Sequence, residues 1–190
     1  MSSKSNLRIV IVVGEASGDV LGSALLEELN QRFPQLESVG IGGPLMLEHG
    51  FDAWYSMGEL SVMGYVEVIR RLPRLLAIRS ALIKRIVSYE PDLVVGIDAP
   101  DFNLSLERSV RKSGIPVVHL VSPAIWAWRY ERIHKIRDSV DRILVLFPFE
   151  EKIYEKEGIP VSYVGHPLAD QIEVNVDRLS HRDKLGLSPN

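Results

Sequence analysis

The chain has no cysteine in its 190 residues. That excludes a disulfide framework, thiolate metal sites and a cysteine nucleophile, and it fits a reducing cytosol. Long apolar runs are missing too. The N-terminal stretch MSSKSNLRIVIVVGEASGD carries one Lys and one Arg around an apolar run too short for a signal peptide or a membrane span. No later stretch is long enough to cross a bilayer. Charge of one sign is also lacking: 22 basic against 25 acidic residues give a net charge of -3, so nothing global points to nucleic acid. His49, His119, His134 and His181 have no metal-ligand spacing with one another, and no metal site of that kind is expected. What remains is ordinary for a globular chain, with 46% hydrophobic and 25% charged residues. The length suits one domain with a sizeable core, or half of a two-domain protein.

Short apolar runs alternate with helical segments. The β-branched run LRIVIVV ends at Gly14 and reads as a buried first strand, followed by GEASGD and the helical VLGSALLEELNQRF. SVGI and Phe51 to Tyr55 read as the next strands, and Val66 to Tyr89 as a long helical region. Strand DLVVGI, helix FNLSLERSVRKSG, strands PVVHLV and DRILVLF, helix FEEKIYEKEG and strand VSYVG complete the pattern. Strands separated by helices of this length predict an α/β fold, a Rossmann-like parallel sheet with helices on both faces and right-handed crossovers. After VGHPLAD the pattern fades, and RDKLGL reads as the start of another helical element without a partner. Residues 1–170 are therefore expected to form one domain, with 171–190 a linker and the start of a further domain.

In such sheets ligands sit at the C-terminal ends of strands. The first post-strand segment, Gly14 to Asp19, is neither GxGxxG nor a P-loop. Its small residues, Ser17 and Gly18 among them, allow close approach at a helix N-terminus, while the acidic Glu15 and Asp19 favour a sugar hydroxyl over a phosphate. A tight turn with Asp19 complementing the helix dipole accounts for Asp19 equally well. Gly40 to Pro44 reads as a structural turn. In VVGIDAPDFN, Pro100 fits a first helical turn and Asp101 its acidic complement. Asp98 instead stands where the strand ends and can accept a proton from a substrate hydroxyl. Asp101 and Asn103 are kept as candidate substrate contacts. In VSPAIWAWR, Ser122, Trp126, Trp128 and Arg129 follow a strand; aromatic faces can stack on sugars or acyl chains and Arg can hold a phosphate, with one tryptophan expected in the core. His166 follows the last strand, as a ligand contact or a structural histidine.

Leu60 to Arg85 combines Val62, Met63, Tyr65, Val66, Val68 and Ile69 with Arg70, Arg71, Arg74, Arg79, Lys84 and Arg85. An apolar surface rimmed by basic residues reads as contact with an anionic membrane surface, through residues 62–71. Pro73 is expected to divide the region into two segments, the second of which turns its apolar face to the core.

GEASGD, GIGGP, ELSVMGYVEV, RLPRLL, GIDAPDFN, VSPAIWAWR, LFPFE and VGHPLAD run from about Val12 to Asp170 in the order they take in lipid-A-disaccharide synthases. On these motifs the chain resembles that family of inverting glycosyltransferases with two-domain GT-B architecture. Ala124 and Ile125 vary inside the SP-x-x-WAWR frame and Phe147 stands where Leu is usual; neither removes a candidate functional group. The resemblance implies the N-terminal, acceptor-side half of an enzyme that joins UDP-2,3-diacylglucosamine to lipid X, giving the β-1',6-linked disaccharide and UDP. It implies a peripheral location at the cytoplasmic face of the inner membrane of Gram-negative bacteria, with no cofactor or metal. It makes Asp98 the general base, leaves a homodimer open, and implies that this half alone is inactive. A UDP-sugar 2-epimerase-like enzyme on the same scaffold, or a non-catalytic lipid-binding half-domain, are the competing readings; only the epimerase has no need of the apolar-basic segment.

Overall fold

The structure is a computed structural model describing residues 6–60, 65–172 and 177–188, with the side chains of 65–69 and 171 also outside the description. At its centre is β1 (Leu7–Val13), whose residues Ile9 to Val13 are all buried, as a strand covered on both faces requires. Each such side chain contributes roughly 1.5–3 kcal/mol by leaving water. β1 pairs in parallel with β2 (Leu36–Gly42) on one side and β4 (Leu93–Ile97) on the other. With β3 (Asp52–Ser56), β5 (Val117–Leu120), β6 (Arg142–Val145) and β7 (Val161–Tyr163), the order is β3-β2-β1-β4-β5-β6-β7, all parallel.

Alternate residues of the strands feed two cores. Ile9, Ile11, Val13, Val95 and Ile97 pack under α1 (Ala16–Arg32) and α2 (Pro44–Glu48). Val10, Val12, Val94, Val117, Ile143 and Val145 pack under α3 (Tyr65–Tyr89), α4 (Pro100–Arg111), α5 (Arg132–Ser139) and α6 (Pro148–Lys156). Two short helices follow, α7 (Pro167–Gln171) and α8 (Arg178–Lys184). The expected doubly covered parallel sheet is therefore present. The chain order reverses between β1 and β4, since β2 and β3 lie to one side and β5 to β7 to the other. That switch point opens a crevice at the strand ends, where loops diverge to opposite faces.

Two local expectations change. Pro73 does not divide α3, which runs unbroken from Tyr65 to Tyr89. Pro73 is exposed, and the helix accommodates it at that position without a break. α1 begins at Ala16, four residues before the predicted helical run. That places Asp19 inside the helix and buried, where its carboxylate accepts the backbone N–H groups of Gly43 (3.0 Å), Leu45 (3.0 Å) and Met46 (3.2 Å). Asp19 therefore caps the N-terminus of α2, and the sugar-hydroxyl reading does not apply to it.

Candidate functional site

The loops after β1 and β4 meet in the switch-point crevice. Gly14 abuts Ala99 so closely that a Cβ at Gly14 would sit 2.5 Å from that of Ala99. Beside this contact lies Asp98, half-buried at the end of β4. One carboxylate oxygen accepts the Ala99 N–H at 2.9 Å, and the other lies 3.4 Å from the Ser17 hydroxyl on α1. Asp98 and Ala99 both have left-handed backbones, at φ 53° and 44°, and Val121 at the end of neighbouring β5 has φ 80°. Left-handed backbone is unfavourable for residues with a Cβ, most of all for a β-branched one, and such outliers persist where surrounding structure over-determines them. Glu15 is exposed at the N-cap position with no side-chain cap bond, leaving its carboxylate turned to solvent near the same loops.

Asn103 differs from its expected role. It is fully buried, and its side-chain amide points to the carbonyls of Val12 (3.1 Å), Ile97 (3.3 Å) and Asp98 (2.8 Å). It ties the ends of β1 and β4 together from below and does not reach the crevice surface. Gly18 is likewise buried, with Val13 so close that a Cβ at Gly18 would sit 2.8 Å from its Cγ1. Asp101 is exposed in the first turn of α4 and pairs with Arg132 of α5 at 2.9 Å.

The segment after β5 is aromatic and exposed. Neither tryptophan is core: Trp126 and Trp128 are 53% and 57% exposed, and Ile125, just before them in the motif, fills the core position instead. Trp126 meets Phe149 edge-on at 5.4 Å, and Phe149 stacks with Phe147 at 5.9 Å. Trp128 lies under the guanidinium of Arg129 at 4.3 Å, with Arg132 at 5.7 Å. Ser122 turns inward, its hydroxyl 2.7 Å from that of Tyr154, a buried phenol that loss of solvation pushes up to about 12. His166 caps α7, with Nδ1 accepting the Leu168 N–H at 3.2 Å. In the neutral ring this places the proton on Nε2, leaving one outward donor.

The comparisons with known proteins fit these motifs. The family model for lipid-A-disaccharide synthetase matches residues 9–190. The chain belongs to that family. A Bordetella petrii lipid-A-disaccharide synthase is 54% identical over 182 residues, covering 96% of this chain and 46% of that protein. The Pseudomonas paraeruginosa synthase is 50% identical over 181 residues, covering 95% and 48%. The chain thus spans about half the length of the curated relatives it matches. Among solved structures, UDP-GlcNAc 2-epimerase from Neisseria meningitidis bound to UDP-GlcNAc superposes with TM-score 0.60 at 14% identity, over 87% of this chain and 47% of that one. Medicago truncatula UGT71G1 complexed with UDP-glucose gives TM-score 0.55 at 14% identity, over 97% and 57%. These low identities show the shared fold: a Rossmann-like half of the kind found in GT-B glycosyltransferases and epimerases.

Beneath the crevice of this lipid-A-disaccharide synthetase family member lies a feature the sequence reading missed. Glu107 on α4 and His119 on β5 are wholly buried, with Oε1 and Nδ1 2.7 Å apart. Burial alone would lower the His119 pKa. The charge of Glu107, its hydrogen bond, the charge of Asp98 and the nearby Val121 backbone outweigh burial, and the pKa is raised. Among the described residues Nε2 has no partner in hydrogen-bonding geometry, nor do Glu107 Oε2 and Asn103 Oδ1. The available signal was a histidine inside the apolar strand PVVHLV, with Gly96 on the adjoining strand leaving space for the Glu107 side chain.

The predicted membrane segment is partly visible. Val62 and Met63 lie outside the described residues, as do the side chains of Tyr65, Val66, Val68 and Ile69. Arg70 and Arg71 are exposed, and Leu72 and Leu76 on the same helix are 46% and 43% exposed. Arg74 makes a two-pronged contact with Glu59, which fastens α3 to the preceding turn. Further along, Ile78, Leu82 and Ile86 enter the core. Among the described residues no helix is long and apolar enough to cross a membrane, and no group of three or more His, Cys, Asp or Glu side chains is gathered as a metal site.

Proposed function

We propose that this chain is the acceptor-side half of a lipid-A-disaccharide synthase, with Asp98 as general base. The reading is supported above all by Asp98: a half-buried carboxylate at the switch-point crevice, aimed by an unfavourable backbone and held by one N–H and one hydroxyl. In this reading, an Asp98 oxygen accepts the proton of the 6-hydroxyl of lipid X. That oxygen attacks the anomeric carbon of UDP-2,3-diacylglucosamine from the face opposite the diphosphate. The new C–O bond forms as the old one breaks, its electron pair leaves with UDP, and the configuration inverts. Ser17 and the Ala99 N–H keep the carboxylate in place, and Asn103 fixes the strand ends beneath it. Helix N-termini and basic groups, without a divalent metal, would stabilise the leaving diphosphate.

Residues 1–170 form the acceptor domain in this proposal, and 171–190 lead into the half that holds most of the UDP contacts. Glu15 and the Trp126–Trp128 surface flank the sugar, and Arg129 is the candidate for the acceptor phosphate. In this reading α3 lies against the cytoplasmic face of the inner membrane, where acylated substrates reside; the exposed Leu72 and Leu76 and the neighbouring arginines support it.

The test pairs two measurements. In the protein that joins this chain to the second half its relatives possess, Asp98→Asn should lower kcat by roughly 10²–10⁴-fold while lipid X affinity and unfolding midpoint stay unchanged. Near-normal turnover would remove Asp98 from the role of base. The 190-residue chain alone should form no disaccharide.

A further inference from the structure

Between α3 and α4, away from the crevice, lies a groove of about 560 Å³ lined by Arg79, Lys84, Arg108 and Lys135, with Ser105 and Ser109 along one wall. Four cations share this groove, and the acids nearby do not balance them. Asp138 pairs with Arg108 at 2.9 Å, and Asp101 is held by Arg132. Among the described residues the side chains of Arg79, Lys84 and Lys135 make no hydrogen bond or ion pair. Lys135 shows the imbalance: loss of solvation, with the positive charges of Arg132 and Arg79, lowers its pKa against the pull of Asp101 and Glu107. A cluster of this kind is relieved by an anion entering from solvent.

The groove does not stand alone. Leu72, Leu76, Arg79 and Ile83 follow one another at spacings of four, three and four residues, which puts them on a single stripe of α3. The stripe starts with two exposed leucines and ends in the groove, whose floor includes Leu76 and Ile83. From Leu72 to Arg79 is about 10 Å along the helix axis. An apolar end followed within that distance by a cationic pocket matches the layering of a bilayer surface, acyl boundary first and phosphates next.

We propose that the α3–α4 groove binds the phosphodiester headgroup of an anionic phospholipid, with Arg79, Lys84 and Lys135 neutralising the phosphate and the Ser105 hydroxyl donating to one of its oxygens, while the Ser109 hydroxyl donates to the Ser105 carbonyl at 3.0 Å. This rests on the reading of α3 as the membrane-facing helix and adds a specific lipid site to it. The site is separate from the crevice and takes part in no chemical step. It anchors and orients the domain while substrates enter elsewhere.

The experiment is vesicle co-sedimentation of the 190-residue chain with phosphatidylcholine alone and with equal parts phosphatidylcholine and phosphatidylglycerol. Arg79→Gln/Lys135→Gln is compared with a charge-matched control, Arg32→Gln/Lys152→Gln, which removes exposed cations from α1 and α6. Circular dichroism verifies that both variants fold. The groove variant should lose about fivefold in affinity per cation, about thirtyfold for the pair, on the anionic vesicles only, and the control should lose far less. Equal loss in both variants would reduce the site to a diffuse surface field and overturn it. Unchanged binding of the groove variant would overturn the headgroup site while leaving the membrane-facing helix intact. Absence of binding to any vesicle would sink the membrane reading itself. If inorganic phosphate then perturbed the Ser105 and Ser109 amide resonances, the ligand would be a soluble phosphate and not a lipid.

Discussion

Gly96 of β4 lies directly against the carboxylate of Glu107 on α4: a methyl group at Gly96 would collide with Oε1. The strand has given up a side chain so that an ionisable group can lie inside the sheet–helix interface and reach His119 on the next strand. Breaking such a buried pair from one side leaves the other charge without compensation. Glu107→Ala should therefore destabilise the chain by about 3–5 kcal/mol, read from urea unfolding. A loss below about 1 kcal/mol, the scale of an exposed pair, would show that the pair is not held as an ion pair.

The pH dependence follows from the raised pKa of His119. The folded chain holds this proton more tightly than the unfolded chain. The resulting stabilisation is complete below the ordinary histidine value of about 6.5 and is lost as pH rises through the higher folded value. Unfolding midpoints measured from mildly acidic to alkaline pH should fall on the alkaline side. His119→Gln should flatten that fall; an unchanged slope in the variant would assign it to other groups.

Asp19 supports α2 from a different helix. Asp19→Ala leaves the N–H groups of Gly43, Leu45 and Met46 without their acceptor. The expected cost is about 1–3 kcal/mol, with hydrogen exchange of residues 43–48 accelerating beyond the rest of the chain. Uniform exchange across the chain would contradict a local capping role.

Much of this molecule is legible in its sequence because strand burial writes itself plainly. Ile9 to Val13 can only be an interior strand, and the loops that follow such strands line the crevice. The place of Asp98 at the strand end was legible for that reason. Tertiary context hid the rest. Asn103 sits beside Asp98 in a motif, yet α4 turns it under the strand ends. Trp126 and Trp128 look like core material, but Ile125 takes that place. Asp19 reads as dipole chemistry for its own helix because its partners lie 24 to 27 residues away. Pro73 breaks a helix in isolation, but α3 carries it at an exposed position and continues to Tyr89.

The left-handed backbone at Asp98 and Ala99 has a further consequence. Glycine is the residue that adopts this geometry without penalty, so Ala99→Gly should raise stability by about 1 kcal/mol, visible as a higher unfolding midpoint. The same change frees the peptide whose N–H holds the Asp98 carboxylate, and turnover in the joined protein should fall as the midpoint climbs. If both rose together, the alanine would have no part in aiming Asp98. A chain shaped for endurance alone would carry glycine at position 99; the alanine marks where endurance gives way to holding a carboxylate still.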